Sequence, residues 1–150
     1  MRNTLFLATL AVALTSVNHA AAVDFPGQAP GMAVAAQSGC TYSIGNSLLS
    51  ADFNYSDGGV TFGGLKSADG TLLVEGGEPI FNITLADKTQ LSSTNMVMGT
   101  PQIIDLAGDA ESHTISKQLP GKAIAATFSA PDGRFSVEWR AVLRDGSHYL

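Results

Sequence analysis

The sequence predicts an all-β chain, an antiparallel β-sandwich preceded by a signal-peptide helix. Three observations carry that expectation. From Cys40 onward, short segments alternate apolar and polar residues, the period that buries one face of a strand and wets the other. Gly and Asp turn signals punctuate them at Asp57-Gly58-Gly59, Ala68-Asp69-Gly70, Pro131-Asp132-Gly133 and Asp145-Gly146. No segment of ten or more residues after Cys40 carries a convincing 3.6-residue apolar period, which leaves sheet on sheet as the way to bury a core.

The chain opens Met1-Arg2-Asn3, continues in an apolar run from Leu5 to Leu14, and reaches Ala20-Ala21-Ala22. One positive charge, a short apolar stretch and a small-residue cleavage site form the layout of a secretory signal peptide, here residues 1–22. A membrane-spanning helix needs about 20 apolar residues, more than this run supplies, so export is expected, to periplasm or medium, with no membrane anchor. Residues 23–40 hold Pro26-Gly27 and Pro30-Gly31 among many Ala and read as a flexible tether. The sandwich domain is then expected over 41–150.

Within it, Ser47–Tyr55 runs into Asp57-Gly58-Gly59, and Val60-Thr61-Phe62 returns, a hairpin signal. Thr71–Val74, Ile80–Leu85 and Gln102–Leu106 follow as short strands. Lys122–Ser129 and Arg134–Arg144 flank Pro131-Asp132-Gly133 as a long hairpin. In its second arm Phe135, Val137, Trp139 and Ala141 fall on one face, with Ser136, Glu138 and Arg140 on the other. The sequence ends just past Asp145-Gly146, read here as a further hairpin turn whose returning strand is cut, so the sandwich is expected to be incomplete and its last long strand to have an open edge.

Composition narrows the function. The chain is 45% hydrophobic and 14% charged, against roughly 25% charged in ordinary globular proteins, which excludes a disordered acidic segment. Without residues 1–22 it has 7 basic and 13 acidic residues, a net charge of −6, and no basic footprint for nucleic acid. The single Cys40 excludes an internal disulfide framework and is expected to pack as a small buried hydrophobe. Most carboxylates sit in or beside turns, where Asp bonds its own backbone, and no spacing identifies the facing pair that glycoside hydrolysis requires. His113 lies near Asp109 and Glu111 in a polar loop, too few nitrogen or sulfur ligands for a zinc site. No Gly-x-Ser-x-Gly elbow and no phosphate-binding loop occur; no metal, cofactor or catalytic residue is expected. Asn54-Tyr55-Ser56 and Asn82-Ile83-Thr84 match the glycosylation pattern but read as strand segments. Trp139 is expected to pack in the core, its alternative role being a platform for a sugar ring.

The run Leu119-Pro120-Gly121 through Phe128, then Pro131-Asp132-Gly133 and Val137 through Tyr149, resembles the amino-terminal region of large secreted alpha-galactosidase-like glycoside hydrolases, some bacterial members of which are labelled enterotoxins. Ile44–Leu49 with Asp57–Val60 also looks like the start of their first domain. The resemblance covers roughly 43–150, and Trp139–Tyr149 is its most distinctive part. It implies a supersandwich-like domain ahead of a catalytic (β/α)8 barrel, which this chain lacks, so no catalytic residue can be carried over. It implies a non-catalytic domain or fragment of an exported glycosidase acting on carbohydrate, inactive alone, with the missing barrel as partner and Asp145 and His148 as a carbohydrate rim, to which Trp139 would add its stacking face. For Asp145 the competing reading is a plain turn residue. The alternative function is a free-standing secreted glycan-binding or adhesion sandwich without catalysis.

Overall fold

A computed structural model of the chain describes residues 27–56 and 59–150; the expected signal peptide and the Asp57-Gly58 turn lie outside the described residues. The fold is all-β and sandwich-like, with antiparallel pairing throughout. The first sheet runs in sequence order through β1 (Val34–Ser38), β2 (Thr41–Gly45), β3 (Leu49–Ser56), β4 (Gly59–Ser67) and β5 (Leu72–Val74). A small ribbon pairs β6 (Asn82–Thr84) with β7 (Gln90–Ser92). The second sheet centres on β10 (Gly121–Ser129), with β11 (Ser136–Arg144) on one edge and β8 (Val97–Met98) and β9 (Gln102–Leu106) sharing the other. The only described helix is the four-residue α1 (Ile115–Gln118).

Alternation explains the layering. In β10, Ile124, Ala126 and Phe128 are buried facing the first sheet, and their partners in β11 are Ala141, Trp139 and Val137. The first sheet answers with Tyr42, Ile44, Ala51, Phe53 and Val60. Phe53 meets the Trp139 ring edge-on with centroids 4.8 Å apart, and Phe81, beside the ribbon, meets Phe128 at 5.0 Å, separations at which aromatic quadrupoles attract. Ser93, fully buried after β7, pins ribbon to sheet: its hydroxyl donates to the Val60 carbonyl at 2.6 Å and accepts from the Ile80 N–H at 2.9 Å. Gly59 is required beside it, because its φ is +107° and a Cβ there would stand 1.9 Å from the Ser93 carbonyl oxygen.

The β10–β11 hairpin closes as its Asp-Gly signal predicts. Ala130 and Phe135 bracket the turn, Gly133 adopts φ +71°, and the Arg134 N–H binds the Asp132 carboxylate.

Two expectations are corrected. Residues 23–40 are not a tether throughout, since β1 pairs with β2 over five residues; an edge strand needs no apolar period when its side chains face solvent, and four of its five do. Cys40 is exposed, not buried, because it falls in the tight β1–β2 turn. Asp145-Gly146 forms a turn, and residues 147–150 after it are in no strand. The Asp145 carboxylate accepts the Ala33 N–H at 2.8 Å, the Gly146 N–H donates to the Gly31 carbonyl at 2.8 Å, and the Asn46 side-chain amide donates to the Ser147 carbonyl at 2.8 Å. Those bonds form a clasp between the segment before β1, the β2–β3 turn and the end of β11.

Candidate functional site

The second sheet has one irregular edge, and it shapes the surface. Strands β8 and β9 pair with β10 in registers that differ by one residue: Met98 faces Phe128, whereas Gln102 faces Ala125. The intervening Gly99-Thr100-Pro101 forms a bulge, with the Gly99 N–H bonded to the Thr127 carbonyl at 2.8 Å. Proline fits there because it has no N–H to give the ladder, and its carbonyl instead accepts the Tyr42 hydroxyl at 3.2 Å. Bulges bend the local strand and re-aim side chains.

Beside this bulge, on the face turned away from the first sheet, lies a groove of about 250 Å³. Gln102, Thr100 and Thr127 line one side, and Glu138 and Arg140 of β11 the other. Alternation places these side chains outward while Trp139 and Ala126 turn inward. Ala125 and Ile104 contribute the apolar part of the floor. Glu138 and Arg140 are both exposed and stand 3.6 Å apart, a loose surface pair of little stabilising value that leaves a carboxylate and a guanidinium free to meet a ligand. An amide, two hydroxyls, an anion and a cation around small apolar residues make a surface suited to a small polyhydroxylated molecule.

Of the residues expected to form a rim, Trp139 borders this groove and Asp145 and His148 do not. The Trp139 ring packs on Phe53 and lines a tight space of about 10 Å³ between the sheets with Tyr42, Tyr55 and Pro101, too small for more than one water. Asp145 is engaged in the clasp, and His148 lies three residues beyond it, half-buried. Asp145 lies in the turn past the end of β11, beyond the strand residues that line the groove. The groove residues Gln102, Thr127, Glu138 and Arg140 escaped the sequence reading because outward polar positions of strands look alike in sequence. The available signal was Gly99-Thr100-Pro101, a Gly and a Pro inside otherwise strand-like sequence.

Titratable groups elsewhere serve local structure. Asp69 is lowered to about 2 by the Ser67 hydroxyl and the Thr71 N–H. The Thr89 N–H lowers Asp87, and the Arg134 N–H followed by its side chain lowers Asp132. Each is a turn carboxylate. Among the described residues no three His, Cys, Asp or Glu side chains converge to hold a metal.

No known protein family, curated protein or solved structure matches the chain.

Proposed function

We propose that this chain is an exported carbohydrate-recognising sandwich without catalytic chemistry of its own, the ancillary domain of an enzyme of alpha-galactosidase type. The groove beside the Gly99–Pro101 bulge carries the recognition half of this reading, because its polar groups can donate to and accept from sugar hydroxyls while Ala125 accommodates a C–H face. The enzymatic setting comes from the resemblance of Trp139–Tyr149 to such hydrolases, and export from the leader-like first 22 residues.

Titration of the purified chain with galactose and terminal alpha-galactosides, followed by amide chemical shifts, tests it. Shifts are expected to concentrate at Gln102, Thr127, Glu138 and Arg140. Arg140→Ala should weaken binding roughly tenfold, as loss of one charge-assisted hydrogen bond does. No hydrolysis of a chromogenic alpha-galactoside is expected from this chain alone. Absence of binding to any sugar tested, or binding indifferent to Arg140→Ala, would overturn the groove's role.

A further inference from the structure

Strand β11 ends the second sheet with an open edge. Its nine residues pair with β10 without a register shift, and among the described residues no strand pairs with its other side. It has no Pro, no Lys and no bulge to blunt the edge, and its charges are of both signs. Its inward-facing Val137 and Trp139, with Phe135 just before it, are only half-buried although they belong to the core cluster, because a last strand has no neighbour to cover their far flank.

We propose that this edge is the interface with a second copy of the chain, β11 pairing antiparallel with itself about a two-fold axis through Trp139. The observation that selects the occupant is charge complementarity. In that register Glu138 stands directly opposite Arg140 of the second copy, and Arg140 opposite its Glu138, so the centre of the seam satisfies itself twice. At its ends Arg144 faces Arg134, whose charge Asp132 already meets at 2.6 Å. Opposed residues in an antiparallel pair share a face, so Val137 meets Ala141, Phe135 meets Leu143, and the two Trp139 rings adjoin on the inner side. Both cores would continue across the seam. Neighbouring registers do worse. An axis through Glu138 or Arg140 sets that charge against itself, and one through Ala141 draws on Arg144, whose guanidinium already donates to the Leu119 and Ala107 carbonyls at 2.7 and 3.2 Å. The contact is isologous and closes as a dimer. It draws on two side chains that also line the groove, Glu138 and Arg140, but its readout is association and not sugar binding.

Sedimentation of the full chain across micromolar concentrations, with charge-reversed variants, tests it. The unaltered chain is expected to be a dimer. Glu138→Arg and Arg140→Glu, each placing two like-charge pairs at the seam, should each weaken dimerisation roughly tenfold or more. The double variant E138R/R140E restores both pairs and should restore the dimer. A chain that remains monomeric throughout the range overturns the proposal, as does one that forms open-ended polymers. So does an Arg140→Glu variant that dimerises normally, which would move the axis off Trp139. Should a single variant fail to fold by circular dichroism, the double variant decides: folded and dimeric supports the seam, and any other result refutes it.

Discussion

Ser93 concentrates more structural consequence than any other polar side chain in the interior. Its hydroxyl stands between the Val60 carbonyl and the Ile80 N–H, so it joins β4 to the segment entering β6. Ser93→Ala keeps the volume almost unchanged and strands two backbone groups away from water. A buried unsatisfied donor or acceptor costs about 1–3 kcal/mol. The variant should therefore lose that much stability in urea denaturation, with an unchanged m-value. Phe128, with no exposed surface, offers a contrasting apolar test: Phe128→Ala opens a cavity and should cost about 3–5 kcal/mol. Neither role could be read from sequence. Phe128 was one alternating apolar residue among many, and Ser93 lies in a polar stretch with nothing to mark it as interior.

At the scale of elements, legibility followed the strength of the alternation. Strands β9, β10 and β11 were anticipated to within two residues: β11 alternates clearly, Pro131-Asp132-Gly133 fixes the hairpin between β10 and β11, and β9 and β10 show as short apolar runs. Strands β7 and β8 were missed, being three and two residues long, too short to display a period. β1 was missed for the opposite reason, since its neighbours in sequence are Gly, Pro and Ala and its own side chains face solvent. The turns make a further prediction. Asp69, between β4 and β5, has its pKa lowered from 3.8 to about 2 by Ser67 and Thr71. A depressed carboxylate stabilises the fold fully above its ordinary value, and the contribution disappears as pH falls towards 2; Asp87 and Asp132 act in the same direction. Stability should thus decline between about pH 4 and pH 2, and Asp69→Asn should flatten that decline in thermal melts taken across the window.

For the whole molecule, the clasp is the feature that no local pattern announces. Asp145 and Ala33 lie 112 residues apart, and only the folded topology brings them together. Asp145→Ala should lower stability by about 1 kcal/mol, whereas Asp145→Asn, which keeps a side-chain oxygen facing Ala33, should lose less; differential denaturation of the two variants measures the difference. The candidate groove was equally hidden, because its walls come from β9, β10 and β11 and its shape from a one-residue slip between β8 and β9. The clasp also sets a timetable. A chain made from its N-terminus cannot close it until Asp145 has been synthesised, and contacts between such distant residues are slow to form because so much chain entropy must first be lost. Through most of its synthesis β1 has only the β2 ladder to hold it. The turn at Asp145-Gly146 thus locks the segment before β1 only after β11 has been made, and until then Gly31 and Ala33 lack those partners.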